Sequence, residues 1–334
     1  MGRLIKITNK LGMSIICSTM GGSLYDVLAP DKDGNIESVL VRPNAISEFD
    51  YAEGHYGKPA GRTAGRIRPK TVTLDNHTFT IKTADPKADF ALHGGKDGFS
   101  EKEFEVSEKT FFDDQTLIFT YTSKDGESGY PGNLKVTIKY ILRGKENRFL
   151  IEHEATTDKK TLCNLTCHAY FNLSGNNKRN ILGQELYLNS SRYGVVDKET
   201  VATRISEVDK NFDFRNPHKI GDYIEQEEVQ RFTYGYDHPF LLDGNMPAAV
   251  LYDRESGREL TINTNYESCV MYSCNWPDHF ISENGRYIKK YDGICLEMQH
   301  FPNTVHSDFI HDKKDVLSVG QKYDQFIEYN FLIK

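Results

Sequence analysis

The 334-residue sequence predicts an all-β fold, one large antiparallel β domain over residues 1–334. Three observations carry this expectation. Apolar and polar residues alternate with period two in stretch after stretch, the pattern of strands packed on one face. Helical periodicity is scarce, and strands never alternate with long amphipathic helices, which disfavours a parallel doubly wound sheet. Aromatic content is high, with 19 Tyr and 19 Phe against one Trp. Such residues suit a pleated core.

The elements follow in chain order. Residues 44–51 allow a turn or two of helix. Val72-Thr73-Leu74 and Thr78-Phe79-Thr80-Ile81, joined through Asp75-Asn76-His77, predict a tight hairpin. Residues 116–122 gather Leu117, Phe119 and Tyr121 on one face. Residues 135–140 gather Val136, Ile138 and Tyr140, and residues 149–155 gather Phe149, Ile151, His153 and Ala155. One short helix is expected within 220–232, and strands at 259–264 and 269–274. Loops at 43–71, 85–100, 123–133 and 275–292 are the segments on which a rigid sheet would carry function.

Composition excludes several classes. Lys and Arg total 41 against 48 Asp and Glu, a net charge of −7. A general nucleic-acid binder would be basic. No apolar run reaches spanning length, so no membrane association is expected. The first 22 residues lack the form of a signal peptide. Six scattered Cys then predict reduced thiols and a cytoplasmic protein. Monomer and homodimer both stay open.

Two segments look chemical. Residues 162–171, read as one strand, put Cys163, Leu165, Cys167, Ala169 and Phe171 on a core face. Leu162, Asn164, Thr166, His168 and Tyr170 fall on the other, either a polar cleft floor or a plain solvent face. Cys167 and His168 point oppositely on such a strand and could not share a metal ion. In residues 294–301, Ile294, Leu296 and Met298 face one way, and Cys295, Glu297, Gln299 and Phe301 the other. Glu297 is thus partly buried, either in a structural ion pair or at a site. The Gly-rich stretches 57–67, 92–95 and 126–132 permit sharp turns but match no phosphate loop or dinucleotide fingerprint. No Gly-x-Ser-x-Gly elbow occurs. Tyr236-Asp237-His238 sets an acid beside an imidazole.

Together these segments resemble the aldose 1-epimerase, or galactose mutarotase, family. The resemblance runs through Gly61-Arg62-Thr63-Ala64-Gly65-Arg66-Ile67, Leu92-His93-Gly94-Gly95, Gly126 to Gly132, His168-Ala169-Tyr170-Phe171-Asn172-Leu173-Ser174-Gly175, Tyr236-Asp237-His238 and Gly293-Ile294-Cys295-Leu296-Glu297-Met298-Gln299-His300-Phe301-Pro302, in the family's order. It implies a large antiparallel β-sandwich with an open sugar cleft, acting on the anomers of free hexoses such as galactose and glucose. By position it implies His168 as general acid and Glu297 as general base, with Arg66, His93 and Asp237 binding the sugar. Two positions depart from the family. Gly65 stands where many members have Asn, which bears on how Arg66 is held, and Met298 stands where Thr is common.

The chemistry asks for such a pair on its own terms. Opening a hemiacetal removes a proton from O1 and delivers one to the ring oxygen; a carboxylate and a protonated imidazole are suited to those tasks. No metal, cofactor or covalent intermediate is expected. Four competing readings remain. A hexose-6-phosphate 1-epimerase would need an extra cation, for which Arg62 is the candidate. A disaccharide 1-epimerase is the second. A glycosidase would need two carboxyls across the bond, with Glu297 and Asp237 available. A non-catalytic carbohydrate-binding protein would be expected to lack His168 or Glu297.

Overall fold

The computed structural model describes residues 1–334. Two sheets dominate and face each other. The larger has nine strands in the order Glu105–Phe111, Asp114–Ser123, Leu134–Leu142, Arg148–Thr157, Tyr323–Ile333, Arg258–Thr264, Ala249–Tyr252, Glu185–Leu188 and His218–Lys219, all antiparallel. The smaller has six, in the order Tyr170–Phe171, Ile294–Gln299, Ser268–Tyr272, Asp237–Leu241, Arg192–Val196 and Ala202–Glu207. A four-stranded N-terminal sheet, Leu4–Thr8 to Ile36–Ser38, adds its apolar side to the same interior. The expected all-β sandwich is what the chain forms.

The alternating faces explain the packing. Leu117, Phe119, Val136, Ile138, Tyr140 and Ile151 from the large sheet join Phe171, Phe240, Met271, Leu296 and Met298 from the small one in one cluster of 56 buried residues. Tyr329 links the layers, its ring 4.9 Å from Phe149 and 5.2 Å from Phe171. Burying each large apolar side chain contributes about 1.5–3 kcal/mol before entropy. Inward faces therefore hold the register, and a one-residue slip of Ile294–Gln299 would bury Glu297 in the core and turn Leu296 into the cleft.

Some local expectations change. The hairpin forms as Thr71–Leu74 and His77–Thr80, with His77 in the strand and Asp75 left-handed at φ 53°. Residues 220–232 make no single helix; a 3₁₀ turn at Ile220–Asp222 and one α-turn at Glu227–Gln230 share them. The helix within 44–51 is Ile46–Tyr51. No helix is long and apolar enough to cross a membrane.

The larger correction concerns residues 162–171. They do not form one strand. The chain takes three partners in turn: Thr161–Leu162 pairs with Val316–Leu317, Thr166–Cys167 with Pro59–Ala60, and Tyr170–Phe171 with Ile294–Cys295. Asn164 covers the first gap as a backbone surrogate. Its Nδ2 donates to the His300 carbonyl, and its Oδ1 accepts from the His300 N–H. Thr166 donates to the Met298 carbonyl, and Leu162 packs in a satellite core. The supposed polar floor is therefore mostly structural.

Candidate active site

The small sheet builds one wall of a cleft by cross-strand register. Tyr170 pairs with Cys295, Cys295 with Tyr272, and Tyr272 with Asp237, so these four share a face. Glu297, opposite Val270, lies on that same face one pleat along. The sequence's alternation through 294–299 holds: Leu296 and Met298 enter the core, while Glu297 and Gln299 line the cleft.

Loops bring the cations and imidazoles. Arg66 pairs with Leu92 in a two-residue ladder, which carries His93 to the rim. His93 is left-handed at φ 47°. Gly94 must follow, because a Cβ there would lie 1.8 Å from the Gly61 carbonyl oxygen. Gly65 and His93 are tied both ways: the His93 N–H donates to the Gly65 carbonyl at 3.1 Å, and the Gly65 N–H to His93 Nδ1 at 3.3 Å. The family's Asn position thus holds His93 here through its backbone, rather than Arg66. A Cβ on Gly65 would sit 2.8 Å from Pro302.

All five residues singled out from the sequence line one cavity of ≈ 240 Å³: Arg66, His93, His168, Asp237 and Glu297. His168 Nε2 lies 3.4 Å from Glu297 Oε1, and both side chains are buried. On the far side of the ring, Nδ1 is 3.4 Å from Cys295 Sγ. Tyr170 stacks on the imidazole at 5.1 Å. Arg66 Nη1 is 3.9 Å from Asp237 Oδ2. His238 turns to the other side, against Phe212, so the adjacent Asp and His never act together.

Electrostatics alter one expectation. Burial pushes the His168 imidazole down to about 4, so it does not rest as the protonated cation expected beside a carboxylate. Burial, then the nearby Asp237, pushes Glu297 well above the carboxylate range, with Arg66 opposing. Burial likewise raises Asp237, again against Arg66. Both shifts favour the uncharged arrangement, in which the pair shares one proton and Glu297 carries it. Moving it to His168 gives the ion pair with the same proton count.

Sequence reasoning missed His55. Its ring lies 4.9 Å from His93 and 6.2 Å from His168, and burial holds it neutral, at about 3. It comes from an irregular segment that carries no periodicity. Gln299, Tyr272, Trp276 and Asp278 also line the cleft. Four buried polar atoms here have no protein partner: Glu297 Oε2, Gln299 Oε1, Arg66 Nε and His55 Nδ1. Buried polar groups are nearly always satisfied, so such a cluster points to a polar ligand.

His93, His168 and Glu297 also bring one donor atom each within 4.8 Å of the others. Two imidazoles and a carboxylate are a zinc-type set. Yet Nδ1 of His93 accepts from Gly65, which puts the ring's single proton on Nε2. His93 thus meets a ligand as a hydrogen-bond donor, which fits a hydroxyl or carbonyl oxygen better than a cation.

Arg62 lies elsewhere. It is 2% exposed and spends its guanidinium on Ser123, Lys124, Pro131, Gly132 and Thr161. The Gly126–Gly132 stretch it anchors does not line the cleft.

Comparison with known proteins agrees with this geometry. A sequence model described as aldose 1-epimerase matches residues 3–330. The aldose 1-epimerase of Escherichia coli K12 is 28% identical over 99% of this chain and 95% of its own length. The galactose mutarotase of Bos taurus is 30% identical, over 98% and 92%. The crystal structure of a GalM/aldose epimerase homologue from C. elegans superposes with a TM-score of 0.88 at 25% identity, covering 100% of this chain and 99% of that one. With a cleft assembled from the family's own motifs and a match along nearly its whole length, the chain belongs to the aldose 1-epimerase family.

Proposed function

We propose that His168 and Glu297 form the acid–base pair of an aldose 1-epimerase, and that Arg66, His93 and Asp237 hold its sugar. The enzyme interconverts the α and β anomers of free hexoses. One observation carries the residue roles: an imidazole and a carboxylate 3.4 Å apart, in a cleft whose remaining polar atoms lack partners.

The pair needs only its one shared proton. In the ion-paired form Glu297 takes the proton from O1 while His168 delivers one to the ring oxygen. The C1–O5 bond breaks with its electrons on O5, and C1=O1 forms. Rotation about C1–C2 presents the other carbonyl face. Closure then returns each proton along its path. The pair ends as it began, so no net proton enters or leaves. Arg66 offers donors to sugar oxygens, and Asp237 accepts from hydroxyls.

Other features support the reading. Galactose and glucose are the expected substrates. A hexose-6-phosphate enzyme loses its candidate cation, since Arg62 is fully engaged away from the cleft. One core drawing on residues from Ile5 to Phe331 favours a single catalytic domain. Six unpaired, buried thiols fit a reducing, cytoplasmic setting. We expect no metal: dialysis against a strong chelator should leave the rate unchanged, and a loss restored by zinc would sink the scheme. Polarimetry of freshly dissolved α-D-galactose and α-D-glucose tests the function directly. No acceleration of either would overturn it.

A further inference from the structure

The small sheet orders the cleft from end to end. Tyr170, Cys295, Tyr272 and Asp237 lie in one row across its strands, with Glu297 one pleat along from Cys295. His168 stacks on Tyr170 at one end, and Arg66 approaches Asp237 at the other. His55 stands at the His168 end, and its segment is tied there. The Gly57 N–H donates to the His168 carbonyl at 2.8 Å, and the Tyr170 hydroxyl donates to the Gly54 carbonyl at 2.7 Å. Asp278 Oδ2 accepts from the Gly54 N–H, and the Lys58 N–H closes a turn on the His55 carbonyl. The imidazole is thus fixed beside the chemistry rather than hung on a free loop, 4.9 Å from the His93 ring and 6.2 Å from that of His168.

These bonds leave one polar atom over. Of the four orphaned atoms in the cleft, Glu297 Oε2, Gln299 Oε1 and Arg66 Nε lie toward the Arg66 side, and His55 Nδ1 alone lies at this end. Burial keeps the ring neutral. In one tautomer Nδ1 donates, and in the other it accepts. A hydroxyl serves both, because it donates and accepts; an ether oxygen or a cation serves only one.

The connectivity of a pyranose says which hydroxyl arrives. Ring opening needs O1 at Glu297 and the ring oxygen at His168. The ring oxygen is bonded only to C1 and C5. It therefore sends C5 and its CH2OH group away from Glu297, past His168. The hydroxyls on C2 to C4 run the other way, toward Arg66 and Asp237. We propose that His55 reads the C6 hydroxyl and makes the enzyme selective for hexoses over their 6-deoxy and pentose counterparts. This rests on the roles given above to His168 and Glu297.

The test is polarimetry on the full chain with D-galactose beside D-fucose, which has the same ring and a methyl group in place of CH2OH. D-galactose should have a kcat/KM ~5–10-fold above that of D-fucose, carried by KM, the size expected of one neutral hydrogen bond to substrate. His55→Ala should bring the two sugars within ~2-fold of each other. His55→Asn places an amide near the Nδ1 position and accepts the left-handed backbone at φ 53°, so it should keep most of the preference. The urea midpoint reports folding; if His55→Ala does not fold, His55→Phe keeps a ring, removes the nitrogen and carries the same expectation. A wild-type ratio near one overturns the proposal, as does a preference that survives loss of the imidazole or vanishes through kcat alone. If glucose is the better substrate, D-glucose and 6-deoxy-D-glucose make the same comparison. An enzyme active on hexoses but blind to C6 thus refutes the role of His55, whereas no acceleration of galactose or glucose overturns the proposed function instead.

Discussion

Arg62 and Arg66 stand four residues apart on the same loop and behave as opposites. Arg62 makes six hydrogen bonds through all three nitrogens and lies 5.5 Å from the Tyr130 ring. It fastens the turn at 124–132 to the sandwich. Arg66 is 23% exposed at the side chain, reaches Asp237 only at 3.9 Å, and leaves Nε without a partner. The first region is complete without any ligand; the second is not. The same contrast separates Asn164 and Thr166, fully bonded to backbone, from Glu297 and Gln299, each with an orphaned oxygen. Satisfied polar groups mark the frame, and unsatisfied ones mark the proposed sugar site.

The sharpest way to break this comparison lies on the unsatisfied side. Glu297→Gln keeps size and removes the titratable proton. Its kcat should fall by ~10²–10⁴-fold, the usual contribution of a general acid–base group. The urea midpoint should hold or rise, because a buried ionisable carboxyl is replaced by a neutral amide. His168→Asn should cost a similar factor, and the double variant much less than the product, since ring opening needs both transfers together. The pH–rate curve should be bell-shaped. The pair takes a second proton on His168 at about 4, so the acid limb falls below the ordinary histidine range. It loses its only proton at the raised Glu297, so the basic limb lies above the ordinary carboxylate range. A limb set by an unperturbed histidine would contradict the assignment.

On the satisfied side the expected damage is to stability. Arg62→Met strips donors from six acceptor groups on five residues, and each buried acceptor left unpaired costs ~1–3 kcal/mol. A loss of about 3 kcal/mol or more in urea unfolding is expected, while kcat per folded molecule stays normal. A folded variant with impaired kcat would show that the turn at 124–132 reaches the chemistry after all.

Arg66→Ala should do the reverse. KM should rise, and kcat/KM should fall by up to ~10²-fold as the sugar loses its orientation. The unfolding midpoint should barely move, because Arg66 makes no close ion pair. Equal losses from the two arginine variants in the same assay would erase the distinction drawn here.

How far the sequence reveals this division depends on pairing. Residues 294–299 read correctly because the strand keeps one unbroken partner, Ser268–Tyr272, along its length, so alternation maps directly onto core and cleft. Residues 162–171 alternate just as cleanly and mislead. Their partners change every few residues, and side-chain-to-backbone bonds fill the breaks. Local pattern cannot register that. The five site residues were legible through the family's motifs rather than through periodicity. Arg62 and Arg66 look alike in Gly-Arg-Thr-Ala-Gly-Arg, because what separates them is the loop at 124–132, some sixty residues away. His55 left no signal, since its neighbours in space, His93 and His168, are distant in sequence.

The smallest expected effect tests how His168 is held. Burial keeps the Cys295 thiol protonated, its pKa raised well above the ordinary value, so its sulfur is a weak acceptor and not a thiolate. When the shared proton rests on Glu297, its O–H points at His168 Nε2, and the ring's own proton must then sit on Nδ1, facing Cys295 Sγ at 3.4 Å. When the shared proton moves to Nε2, Nδ1–H stays where it was. Cys295 thus lets the pair exchange a proton without any change at the far side of the ring. Cys295→Ala removes that acceptor and should disfavour the imidazolium. A weak hydrogen bond of ~0.5–1 kcal/mol corresponds to roughly a 2–5-fold loss in kcat. KM should be unchanged, and the acid limb should move further down. Cys295→Ser supplies a better oxygen acceptor, so kcat should recover and the acid limb should shift up. A purely structural Cys295 would leave the acid limb fixed in both variants, and that result would reduce the contact with His168 to packing.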